Sequence, residues 1–75
     1  MAKKIIPLAP VERLIRTASD GDIRVSESAR GALTEILERI GIKIAKEAII
    51  ETKHAGRKTV KAEDINRALD ILKLE

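Results

Sequence analysis

The spacing of apolar residues predicts an all-α protein of three helices in the order short, long, short. Three observations carry this reading. Apolar side chains recur at intervals of three and four in three separate segments, which is the period of one helical face. Both prolines fall within the first ten residues, so no later segment is broken by one. Turn-forming residues gather at two places, Ser19-Asp20-Gly21-Asp22 and the stretch that opens at Gly56, and these divide the three segments.

Residues 1–10 hold no sustained period and are expected to form an irregular N-terminal arm, leaving residues 11–75 as one domain. A first helix is expected to start near Pro10, where a proline suits a first turn. Val11, Leu14, Ile15 and Ala18 give it an apolar face. After the turn cluster, Ser26 is placed as an N-cap, with Glu27 behind it favouring the positive end of the helix dipole.

The second helix is expected to run from Glu27 to about His54. Ala29, Leu33, Ile36, Leu37, Ile40, Ile44 and Ala48 trace one apolar stripe along it. At 1.5 Å per residue it would extend roughly 42 Å, more than two short helices can cover in a domain of this size. Part of the stripe is therefore expected to meet another chain. Gly31 and Gly41 interrupt the helix at a cost of roughly 1 kcal/mol each against alanine, which suggests close helix crossing rather than a break. Gly56 is placed as a C-terminal cap. Glu63 and Asp64 then open a third helix whose apolar face is Ala62, Ile65, Ala68, Leu69 and Leu72.

Size and composition narrow the function. A chain of 75 residues buries little apolar surface alone. With no cysteine and one histidine it has neither a disulfide framework nor a zinc site, which leaves oligomerisation as the stabilising route. No cofactor or metal is expected. No stretch is apolar enough to span a membrane, and the default location is cytoplasmic.

The net charge is only +3, but its distribution is uneven. Residues 26–50 carry four bases and four acids, whereas Lys53, Arg57, Lys58 and Lys61 fall close together with no acid among them. Such a patch suits phosphates. The complete absence of Phe, Tyr and Trp argues against single-strand recognition by base stacking and leaves duplex backbone binding open.

The densest motif is His54-Ala55-Gly56-Arg57-Lys58-Thr59-Val60-Lys61-Ala62-Glu63-Asp64-Ile65. It resembles the second loop and third-helix start of archaeal histones. Pro7-Leu8-Ala9-Pro10-Val11 with Arg13 is similar to their arm and first helix, and Arg24-Val25-Ser26 followed by Ala29 to their first loop and entry into the long helix. The resemblance covers nearly the whole chain. It implies the histone fold, a head-to-tail handshake dimer in which the first loop of one subunit lies beside the second loop of the other, and double-stranded DNA as partner.

By the same resemblance, Arg24 and the partner's Lys58-Thr59 pair would hold phosphates at each end of the dimer, while paired first helices make a central contact. Arg13 matches an arginine inserted into an inward-facing minor groove, and Arg16 and Lys61 match neighbouring basic positions. These contacts read groove width and flexibility rather than base identity. Arg57 and Asp64 match a pair that braces the second loop within one chain. His54 and Asp64 match polar members of a contact between dimers that stacks them, whereas Glu51 and Arg67 stand at positions of that contact where the familiar proteins place apolar residues. The first loop, Ser19 to Arg24, is longer than in those proteins.

These features imply sequence-tolerant DNA wrapping and compaction by a homodimer, or by a heterodimer with a sister histone, associated with the chromosome. The plainer reading makes Arg13 and Arg16 solvent-facing charges and Arg24, Lys58 and Thr59 ordinary loop residues. The alternative function is a histone-fold heterodimerisation subunit of a transcription-factor-type complex with little DNA contact of its own. A helix-turn-helix repressor fits less well, because its recognition helix follows a short turn. An enzyme is not expected: Gly56-Arg57-Lys58-Thr59 lacks the spacing and preceding strand of a phosphate loop, and no nucleophile-base arrangement is indicated.

Overall fold

The computed structural model describes residues 5–19 and 22–73. Lys3 and Lys4 of the N-terminal arm and the middle of the first turn cluster, Asp20 and Gly21, lie outside the described residues. Three helices follow one another: α1 (Leu8–Ala18), α2 (Glu27–His54) and α3 (Ala62–Leu72). No strand occurs among the described residues. The chain divides into two compact units between Arg39 and Ile40, and α2 contributes to both.

In the first unit, α1 starts at Leu8, slightly earlier than expected. Pro10 thus lies inside the first turn. There its missing N–H removes a donor that would have no intrahelical acceptor, so the proline is tolerated deeper than its usual site at the first helical position. Pro7, in extended conformation, precedes the helix and supplies no side-chain cap. The entry is held from elsewhere: the Glu38 carboxylate on α2 accepts the backbone N–H groups of Ile5 and Ile6, the latter at 2.7 Å. Glu38 is 4% exposed. At the start of α2, the Ser26 hydroxyl accepts the Ala29 N–H at 3.1 Å, a cap worth about 1 kcal/mol.

In the second unit, α2 ends in a cap that requires a left-handed residue. Gly56 has φ +71, its N–H reaches the Lys53 carbonyl at 2.9 Å, and the Arg57 N–H reaches the Thr52 carbonyl at 3.1 Å. This double closure satisfies two terminal carbonyls and turns the chain back toward α3. The third helix begins at Ala62, with Asp64 in its first turn accepting the Lys61 N–H at 2.8 Å.

Neither glycine breaks α2. A Cβ built on Gly31 or Gly41 would meet nothing within 4 Å, so among the described residues no close crossing is made at these positions.

The buried set is unusual for a folded domain. Among the described residues the buried apolar ones are Val11, Ala48 and Ala68, outnumbered by the buried polar Thr34, Glu38, Thr52 and Asp64. No large side chain among the described residues is fully buried. On the α2 stripe only Ala48 is buried, while Ile36 and Ile40 are exposed. Large apolar side chains normally supply most of the stabilisation in a core, and among the described residues this stripe is left largely without such cover.

Candidate nucleic-acid interface

The second loop is built around one carboxylate. Asp64, 3% exposed, receives Arg57 through two N–H···O bonds, Nη2 to Oδ1 at 2.9 Å and Nη1 to Oδ2 at 3.0 Å. Its Oδ2 also accepts the Thr52 hydroxyl and the Lys61 N–H, both at 2.8 Å. The Arg57 guanidinium, followed by the Lys61 N–H, holds the Asp64 carboxyl well below the usual carboxylate range although burial pushes the other way. Asp64 in turn raises Arg57.

Arg57 Nη1 further donates to the Thr59 carbonyl at 2.9 Å, which curls the backbone around Lys58. Lys58, Thr59 and Lys61 are exposed in this loop, and the Lys58 and Lys61 ammonium groups have no partner among the described residues. The loop's one arginine is thereby spent internally while its lysines face solvent. An open cleft of about 600 Å³ lies against the same loop, with Ile49, Val60 and Lys58 in its wall.

The first unit supplies Arg13, Arg16 and Arg24, and the structure treats them differently. Arg13 and Arg24 are exposed, and their guanidiniums have no partner among the described residues. Arg16 is engaged: Nε and Nη2 donate to Glu12 Oε2 at 3.0 and 2.7 Å, and Nη1 donates to the Ile23 carbonyl at 3.2 Å. That carbonyl directly precedes Arg24, so α1 holds the end of the first loop. Glu12 also receives Arg30 Nη1 from α2 at 2.8 Å. The Arg16 hydrogen bonds lead the causes that lower the Glu12 carboxyl, with the Arg16 and Arg30 charges contributing.

Glu51, His54, Asp64 and Arg67 line a second cleft of about 290 Å³. Glu51 and Arg67 are paired there within the chain at 3.5 Å, with the Arg67 side chain mostly exposed and that of Glu51 largely covered.

The family described as histone-like transcription factor (CBF/NF-Y) and archaeal histone matches residues 4–69. The chain belongs to that family. Two archaeal histones are similar to this histone-fold chain over most of its length. It is 53% identical over 64 residues to a component of archaeal histone HAN1 from Thermococcus zilligii, a match that covers 85% of this chain and 92% of that protein. It is 45% identical over 64 residues to probable archaeal histone 3 of Methanocaldococcus jannaschii, with the same shares covered. The short, long, short helix order is consistent with the histone fold. No helix among the described residues is long and apolar enough to cross a membrane.

Several residues of this histone-fold site escaped the sequence reading. Glu12, Arg30, Glu38 and Thr52 carry much of its hydrogen bonding, and the last three stand in no recognisable motif. Glu12 is the exception in principle, since a carboxylate four residues before an arginine on a helix is a readable pair.

Proposed function

We propose that the protein binds double-stranded DNA with little base selection and, as a dimer, wraps and compacts it on the chromosome. The observation that carries this is the sorting of charge. Glu38 and Asp64 are buried and Glu12 is engaged by two arginines, whereas Arg13, Arg24, Lys58 and Lys61 are exposed and unpartnered among the described residues. The acids so engaged take Arg16, Arg30 and Arg57 with them and leave the balance at +3, but those cations left over stand exposed on α1 and in the two loops, where a phosphate backbone can meet them.

The sparse core supports dimerisation. In the handshake arrangement of histones, the exposed stripe of α2 would be covered by the partner's α2, and the partner's first loop would sit beside the second. Arg24 and the partner's Lys58-Thr59 then form the outer phosphate contacts, with Arg13 in a minor groove and Arg16 and Lys61 beside the backbone. Arg57 and Asp64 brace the loop that presents Lys58. The domain expected over residues 11–75 takes in residues 8–10 as well, since α1 starts at Leu8 and the arm ends before it, and no catalytic role is assigned to any residue. The cleft holding Glu51, His54, Asp64 and Arg67 is the contact through which dimers stack. That both relatives are archaeal histones by name favours this reading over a heterodimerisation subunit with little DNA contact.

The test is nuclease digestion of complexes formed on unrelated duplexes at rising protein concentration. Protected lengths that grow in steps on every sequence are expected. Absence of protection, or protection of one sequence only, would refute the proposal.

A further inference from the structure

We infer that Glu12 is a built-in competitor for DNA phosphate, holding Arg16 in reserve so that α1 binds duplex more weakly and with a shallower salt dependence than its arginines imply. This inference rests on the duplex-binding reading and adds a control element to the same site. Arg13 and Arg16 lie three residues apart on one short helix, but only Arg13 is without a partner among the described residues. Arg16 commits two of its three nitrogens to one oxygen of Glu12 and the third to the Ile23 carbonyl. A phosphate approaching this guanidinium meets donors already directed at a carboxylate, and it meets the carboxylate's charge.

The geometry makes the competition reversible. Arg30 grips the other Glu12 oxygen at 2.8 Å, so the carboxylate stays in place whether or not Arg16 leaves it. The Arg16 side chain is 46% exposed against 25% for Glu12, so phosphate reaches the arginine more readily than the acid. Exposed helical pairs of this kind are weak, which means that DNA can displace Glu12 at a penalty in affinity of roughly two- to fivefold per arginine. With two copies the penalty is roughly four- to twenty-five-fold per dimer, because independent penalties multiply.

The test is a salt titration of duplex affinity for the full-length protein, Glu12→Gln, Arg16→Gln and the double variant. Glu12→Gln is expected to bind more tightly by that factor. Its log-log salt slope should also be steeper, by up to roughly 0.9 per Arg16, because a neighbouring carboxylate no longer offsets that charge at the phosphates. The gain should vanish in the Arg16→Gln background, since a general effect of removing a negative charge would persist there. An equal gain without Arg16, or unchanged affinity and slope, would overturn the inference while leaving DNA binding intact. Failure of the unmodified protein to bind duplex would instead overturn the proposed function and this inference with it. As a measurement independent of any variant, the Arg16 Nε–H NMR signal should shift as a short duplex is added; a signal that stays put at saturation overturns the exchange.

Discussion

Arg57 and Asp64 face each other through two N–H···O bonds of 2.9 and 3.0 Å, closing the chain between the end of α2 and the first turn of α3. Asp64 is buried, so removing either partner strands the other. Asp64→Asn is expected to lower the unfolding midpoint by roughly 10 °C or more. The pH dependence follows from the depressed carboxyl. Its contribution is complete above the ordinary carboxylate value of 3.8, and it is lost progressively as pH falls below that value toward the lower folded one. Thermal unfolding between pH 7 and 2 should show this loss in the unmodified protein and a flatter acid limb in Asp64→Asn.

Glu38 holds the entry to α1, where Pro7 offers no cap. Replacing it by alanine leaves the Ile5 and Ile6 amides without their acceptor and is expected to cost about 2 kcal/mol. Hydrogen exchange at those two amides should accelerate far more than exchange within α3. Equal acceleration at both places would mean that the residue acts on global stability alone.

The apolar stripe that the chain leaves exposed sets a third expectation. Unfolding should depend on protein concentration, with the midpoint falling over a hundredfold dilution. Ile40→Glu or Ile44→Glu is expected to abolish folding at micromolar concentration, because the stripe would then place a charge in the dimer contact. A midpoint that ignores dilution would exclude an obligate dimer.

Lys58 is exposed at the bend that Arg57 imposes through the Thr59 carbonyl. Lys58→Ala should weaken binding to all duplexes alike and flatten the salt slope by about two units per symmetrical dimer. Discrimination between sequences should stay the same. Equilibrium binding on two unrelated duplexes at four salt concentrations checks both statements.

The pair formed by Glu51 and Arg67 bears on stacking. Opposite charges already joined within one chain must be desolvated together, or exchanged across the contact, when two such faces meet. Dimers are therefore expected to stay separate in free solution and to stack on DNA, where the shared duplex raises their effective concentration. Glu51→Leu combined with Arg67→Leu should make stacking easier and less sensitive to salt. Sedimentation without DNA decides the matter, and a stable tetramer of the unmodified protein at micromolar concentration and high salt would contradict it.

What the sequence made legible was local. The extent of α2 could be read because Ser26 and Gly56 bracket an uninterrupted period, and each does its work within a few residues of where it stands. The start of α1 was displaced because a proline fits several positions of a first turn equally well. Glu38 was illegible for a different reason: the amides that donate to it lie more than thirty residues away, and a glutamate on the flank of an apolar stripe looks like any solvated charge. Arg16 was legible as a base but not as an occupied one. Residue type shows the sign of a charge, whereas its availability depends on where the neighbouring acid points.

The scarcity of buried apolar side chains also has a bearing on how such a protein is kept in supply. A newly made chain that has not met a partner shows proteases and chaperones the same exposed isoleucines it will later hide, so its survival becomes a race between encounter and degradation. Pairing then acts as quality control. Surplus copies would be removed because they are alone, and if a sister chain shares the pairing surface, whichever is made in excess would be trimmed to match the other.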